Sequence, residues 1–157
     1  MCSSDLDQAI AQLRKTLEID STFYYAHYFL GMALQLKGDL PAAIAEYTQA
    51  QQLSDDLWVL VLLASAKAQS GDKDAAVRLL AELEELSQHR HVPSYWRTFL
   101  YLSLGNRDEA VRWLEQGIAD HDGVNIGMMK VDPWLDPLRG DPRFEALVQK
   151  VIVPEHN

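Results

Sequence analysis

Apolar residues along this chain recur at helical spacing, and the runs are interrupted at regular intervals by a Gly followed by Asp or Asn. Three stretches can be laid over one another: YFLGMALQLKGDLPAAIAEYTQA from Tyr28, LLASAKAQSGDKDAAVRLLAEL from Leu62, and YWRTFLYLSLGNRDEAVRWLEQG from Tyr95. Each reads as a helix, a corner and a second helix. Gly38, Gly71 and Gly105 lie 33 and 34 residues apart, a period that belongs to stacked helix-turn-helix units. At each corner the Gly can take the left-handed backbone that ends a helix, and Asp39, Asp72 or Asn106 offers a side-chain oxygen to cap the next one. Pro41 falls in a first turn, where its missing N–H does no harm. Beyond each corner a small residue, Ala43, Ala76 or Ala110, is followed four positions on by Tyr47, Leu80 or Leu114. The small residue lets two helix axes approach, and the large one fills the groove beside it.

One period before Ala43 and Tyr47 stand Ala9 and Leu13, so DLDQAIAQLRKTLEID reads as the second helix of a repeat whose first helix is absent. Ile10, Leu13 and Leu17 are then expected to have a face without a partner, which makes this helix either a self-association surface or a capping helix packed on the next repeat. Residues 1–4 are set apart as non-native or disordered, because MCSSDL carries no helical pattern. Residues 5–120 form the array, a half repeat plus three full ones, and residues 121–157 form a C-terminal cap. Within that cap VDPWLDPLRGDPRF holds three Asp-Pro pairs, each a helix-start signal, and predicts three restarts: single turns at Asp132 and Asp136, then a longer helix from Pro142. Phe144, Leu147, Val148 and Val151 share one face of that helix and are expected to seal the end of the array, with Trp134 and Leu138 beside them.

The chain resembles the tetratricopeptide repeat family over roughly residues 5 to 120. The resemblance is carried by Leu30-Gly31, the three helix-ending glycines, the alanines just named, the aromatic or Leu four residues later, and Ala50 seven beyond Ala43. It implies an all-α, right-handed solenoid with a C-terminal capping helix, acting as a protein-binding scaffold. Departures exist: Ala64 in the second repeat and Thr98 in the third stand where Gly31 does, Arg97 takes an apolar position, and Gly117 replaces Ala, so a shifted or looser first helix is expected in the last full repeat. The tail is also similar to the C-terminal ends of such arrays in bacterial multidomain regulators. There they follow winged-helix transcription, serine/threonine kinase or nucleotide cyclase domains, which implies an effector domain upstream. Val131-Asp132-Pro133, Asp136-Pro137-Leu138-Arg139 and Asp141-Pro142-Arg143-Phe144 carry that similarity.

The family's concave groove, lined by the first helix of each repeat, maps onto three stripes with common offsets: Tyr25, Tyr28, Met32 and Gln35; Trp58, Val61, Ser65 and Ala68; Val92, Tyr95, Phe99 and Leu102. The peptide-binding candidates are Tyr25, Tyr28, Met32, Trp58, Val61, Ser65, Tyr95, Phe99 and Leu102. Such a groove suits an apolar peptide. The competing reading is that these aromatics pack between repeats. The family's carboxylate clamp is not expected, because Lys, Arg and Asn are missing from the stripes.

Composition narrows the function further. Fourteen Lys and Arg against 23 Asp and Glu give a net charge of -9, which repels nucleic acid and anionic membranes. The apolar run LWVLVLLASA is too short to span a bilayer, and Cys2 is the only cysteine, so a cytoplasmic protein without disulfides is expected. His89 and His91 form an H-x-H without further ligands at metal-site spacing, and His27 among tyrosines reads as a packed imidazole. No nucleophile elbow, phosphate loop, dinucleotide fingerprint or zinc-protease motif occurs. The expectation is a non-enzyme without cofactor or metal that binds a protein or peptide. A small-ligand sensor for an attached effector, and a structural spacer, are the alternatives.

Overall fold

In the computed structural model the described residues are 3–122 and 129–152, and side chains 3, 4, 151 and 152 fall outside the description. These residues form an all-α fold: α1 (Ser3–Ile19), α2 (Tyr24–Leu36), α3 (Leu40–Leu53), α4 (Leu57–Gln69), α5 (Lys73–Leu86), α6 (Ser94–Ser103), α7 (Arg107–Ala119), a 3₁₀ helix η1 (Pro133–Leu138) and α8 (Pro142–Ile152). Two compact units divide the chain, residues 1–89 and 90–157. The expected array boundary at 120 therefore falls inside the second unit, where the tail packs with α6 and α7.

The corners form as their local chemistry dictates. Gly38, Gly71 and Gly105 have φ of 84°, 91° and 78°, and Asp39, Asp72 and Asn106 accept the backbone N–H of Ala42, Ala75 and Glu109. Each corner also closes the preceding helix, since the N–H of Asp39, Asp72 and Asn106 reaches the carbonyl of Leu34, Lys67 and Tyr101.

In the first unit each helix packs on its neighbour, and α2 also touches α4. The run read from sequence as too short for a membrane is α4, buried on every side, with Val59, Val61, Leu62, Ala64, Ser65 and Ala66 each at 0% exposure. No helix of the described residues is long and apolar enough to cross a membrane. Gly31 allows the closest approach of α2 to α3. A Cβ built there would lie 2.6 Å from Cε1 and 2.7 Å from Cδ1 of the fully buried Tyr47. The expected open apolar face of α1 is corrected by its packing on α2. Ile10 is buried and Leu6, Leu13 and Leu17 half-buried, while Gln8, Gln12, Lys15 and Glu18 face solvent. Residues 1 and 2 lie outside the described residues, and Ser3 and Ser4 begin α1.

In the second unit α6 has ten residues where α2 and α4 have thirteen. It is tightly packed nonetheless. Thr98 is fully buried and its hydroxyl donates to the Ser94 and Ala110 carbonyls, and Arg97 donates to the Val92 carbonyl while lying 4.5 Å from the Trp113 ring centroid. Pro93, at the N-cap of α6, supplies no side-chain cap. Asp122 does so from the end of the following hairpin, accepting the Ser94 N–H at 2.7 Å and its hydroxyl at 2.8 Å, with His91 Nε2 at 2.9 Å.

The three Asp-Pro pairs produce two starts, not three. Asp132 caps η1 through the Trp134 N–H, and Asp141 caps α8 through the Arg143 N–H. Pro137 lies inside η1, where Asp136 pairs with Arg139 at 2.6 Å. Pro137 is the second residue of the turn that the Arg139 N–H closes on the Asp136 carbonyl, a position whose own N–H is not used, so it is absorbed within η1 without forcing a separate helix. Met129, Leu135, Leu138, Phe144, Leu147 and Val148 join Val111 and Leu114 in one core. The expected contribution of Val151 lies outside the described side chains.

Two stability measurements check these contacts. Gly31→Ala should lower unfolding free energy in urea by about 1–3 kcal/mol, because Tyr47 has no room to yield. Asp122→Ala should cost about 1–2 kcal/mol near neutral pH. Burial raises the Asp122 pKa, but the hydrogen bonds from Ser94 and the nearby His91 lower it more, so the net value lies below 3.8. Its stabilisation is complete above that value and fades as pH falls through the lower folded-state pKa, so the difference between wild type and variant should shrink over that window.

Candidate interaction surface

Helix α2 is apolar at nearly every position, and only part of that surface is used internally. Ala26, His27, Leu30, Gly31, Ala33 and Leu34 are its buried face. Tyr25, Phe29, Met32 and Leu36 follow at spacings of four, three and four on the opposite side, and Tyr25, Phe29 and Leu36 are 43%, 46% and 57% exposed. Phe23, at the N-cap, is exposed as well. The rings touch in series: Phe23 to Tyr25 at 5.8 Å, Tyr24 to Tyr25 at 4.2 Å, Tyr25 to Tyr28 at 5.8 Å and Tyr28 to Phe29 at 4.1 Å between centroids. Single exposed apolar residues are ordinary, whereas a contiguous stripe of them marks an interaction surface.

Local chemistry holds the stripe in place. His27 has Glu46 Oε2 at 2.7 Å from Nδ1 and the Ser21 carbonyl at 3.0 Å from Nε2, which pins the start of α2 to α3. The Tyr24 hydroxyl is pushed up to about 12 by its hydrogen bond with Tyr25, then by desolvation and by the charges of Tyr25 and Asp56, against a smaller lowering by Ser54. Burial, and then the Asp56 carboxylate and Tyr25, raise Tyr28. These phenols remain neutral through the physiological range, and a negative charge stands beside them.

The nine sequence candidates separate into three groups. Tyr25, Tyr28 and Met32 belong to the exposed or half-exposed face of α2, and Trp58 is half-buried at the start of α4. Val61 and Ser65 are fully buried, which corrects their assignment as groove lining. Ser65 instead receives Gln69 Nε2 at 3.2 Å and Gln35 Nε2 at 3.5 Å, while Gln35 Oε1 accepts the Tyr47 hydroxyl at 2.7 Å. Polar side chains at those stripe positions therefore tie α2, α3 and α4 together. The row on α6 is occupied by the tail. The Tyr95 hydroxyl donates to Asp132, Phe99 is 7% exposed and stacked on Trp134 at 4.0 Å, and Leu102 packs against the core built by η1 and α8. An open groove along α6 is corrected accordingly. Phe29 and Leu36 escape the sequence reading because offsets of 3, 7 and 10 are imposed there on all three helices. The signal for them is that α2, like α4, is apolar all round, with a stripe period near a true helical turn.

Among the described residues no group of three or more His, Cys, Asp or Glu is placed to hold a metal ion. His91 pairs with Asp122, and His156 lies outside the described residues. Two family models, both described as Tetratricopeptide repeat, match the chain, one at residues 24–57 and the other at 57–82 and 92–116, together more than half of its length. Between the two stretches of the second model, residues 83–91 are unmatched and hold the end of α5 and most of its connection to α6. Comparison with curated proteins finds no match.

Surface and core can be told apart by unfolding. Phe29→Ser and Leu36→Ser should each change stability by no more than about 0.5 kcal/mol. Phe99→Ala should cost about 3–5 kcal/mol, as expected for emptying a packed site.

Proposed function

We propose that this chain, which belongs to the tetratricopeptide repeat family, is a non-catalytic scaffold that holds a protein partner against the solvent face of α2. The observation that carries this reading is the exposed stripe Tyr25, Phe29, Met32 and Leu36, on a helix whose other faces are already packed. Met and aromatic side chains concentrate binding energy when a partner removes them from water. Two alternatives have less support. A small-ligand sensor calls for an enclosed apolar pocket, and the concavities beside Arg14 and Leu34, Arg107 and Arg139, and Arg97 and Trp113 open to solvent. Self-association through α1 called for a continuous apolar outer face, and the outward positions Gln8, Gln12, Lys15 and Glu18 are polar, with Ile19 exposed alone at the helix end.

The Asp-Pro words of the tail support a place for this scaffold as a cytoplasmic extension of a larger bacterial regulator, with the effector chemistry in another domain. By covering Tyr95, Phe99 and Leu102, the tail leaves partner binding to the surface on α2. A peptide-library pull-down with wild type and a Tyr25→Ser, Phe29→Ser, Leu36→Ser triple variant tests the reading, with circular dichroism verifying that the variant is folded. Peptides retained by wild type and lost by the folded variant are the expected result. Equal capture by both proteins, or capture by neither, would remove α2 as the docking surface.

A further inference from the structure

The form of the stripe and the charge around it specify the partner more closely, on the premise that α2 is the docking face. From Tyr25 to Leu36 the stripe runs straight along about three helical turns, roughly 16 Å at 1.5 Å per residue. Every surface it offers is side chain, because the α2 backbone is engaged within its own helix. An extended peptide laid here would find no strand edge to pair with, and its own N–H and C=O groups would be desolvated against aromatic rings without partners. A helical partner has no such penalty. Its backbone is satisfied internally, and its i, i+3, i+4, i+7 ridge can pack into the grooves between Tyr25, Tyr28, Phe29, Met32 and Leu36.

Charge defines the border of that partner. The first unit carries 13 Asp and Glu against 6 Lys and Arg, a balance of 6 − 13 = −7. Two of its basic side chains are already paired, Lys37 with Asp7 and Lys67 with Asp72. Asp56, held at the start of α4 by the Trp58 N–H on its Oδ1 at 2.9 Å, stands near enough to Tyr24 and Tyr28 for its charge to help keep both phenols neutral. Lys or Arg flanking an apolar ridge would meet carboxylate on one side and tyrosine faces on the other, both attractive to a cation. A second copy of this chain would bring the same negative field and be repelled. We infer that the α2 stripe receives an amphipathic α-helix of about three turns, supplied by a partner protein, whose apolar face is bordered by Lys and Arg.

Three synthetic peptides of about 18 residues, long enough to populate helix in water, test this. One has Leu at i, i+3, i+4 and i+7 with Lys elsewhere, one keeps the Leu pattern with Glu in place of Lys, and one scrambles the Leu and Lys order. Fluorescence anisotropy with the 157-residue chain should give the Leu/Lys helix a Kd at least about tenfold lower than either control, and about tenfold higher with the folded Tyr25→Ser, Phe29→Ser, Leu36→Ser variant. Equal binding of the Leu/Glu helix would overturn the basic border while leaving apolar docking on α2 intact. Equal binding of the scrambled peptide would overturn the helical form. Leu/Lys binding that the triple variant does not weaken would reduce the effect to charge adsorption and overturn the inference. No binding of any peptide, with library peptides still lost in the variant, would overturn the helix while preserving the docking reading. A dimer in sedimentation equilibrium that the triple variant abolishes would identify a second copy as the occupant and overturn it also.

Discussion

The close approach of α2 and α3 at Gly31 is the constraint on which the first unit depends. Any side chain there would collide with the Tyr47 ring, so the two axes can be this near only because Gly31 has none. The ring, in turn, is fully buried, and its hydroxyl must find a partner away from water. It finds Gln35, one turn farther along α2, whose amide extends the chain of hydrogen bonds to Ser65 on α4. One missing Cβ thus sets the distance between two helices and the polar link to a third. Ser65, a buried hydroxyl at the centre of an apolar helix, is satisfied by this link together with Gln69 Nε2 at 3.2 Å.

The second unit solves the same problem with other residues. Thr98 occupies the position of Gly31, where the counterpart of Tyr47 is the smaller Leu114, and its hydroxyl is bonded to carbonyls on both α6 and α7. The close approach moves to the other helix, where a Cβ on Gly117 would lie 3.0 Å from the Ser94 Cβ. That shift brings the end of α7 against the start of α6, which is the geometry that lets Asp122 cap Ser94. Departures from the repeat pattern that suggest loosening in the sequence are a different set of complementary contacts.

What can be read from sequence alone is governed by range. The corners at Gly38, Gly71 and Gly105 and the caps at Asp39, Asp72 and Asn106 are legible because left-handed backbone and capping depend on residues within a single turn. Helical periodicity identifies faces but not which neighbour covers each. Val61 shares its offset with Tyr28, yet α4 is enclosed and α2 is not. Least legible is the tail over α6. The contact of Tyr95 with Asp132 joins residues 37 apart, and nothing in the Asp-Pro words specifies where Trp134 will stack. Pro137 misleads for a local reason, because a Pro that starts an α-helix is equally at home within a 3₁₀ turn.

Two helices of near-equal apolar character, α2 and α4, therefore have opposite fates. Helix α4 lies between α3 and α5 and also meets α2, and its apolar surface all contributes to the core. Helix α2 has α1 and α3 beside it and meets α4 in turn, yet together they cover only one side and leave Tyr25, Phe29 and Leu36 in water. Replacing those three with polar residues would sacrifice little packing, so fold stability alone does not account for them. Stability does account for nearly all the apolar residues of α1, α7 and α8, whose outward positions are mainly Gln, Lys, Arg, Asp and Glu, with Ile19 at the end of α1 the exception. The contrast within one chain separates apolar surface that folding needs from apolar surface that awaits something else, and only α2 carries the second kind as a continuous helical stripe among the described residues.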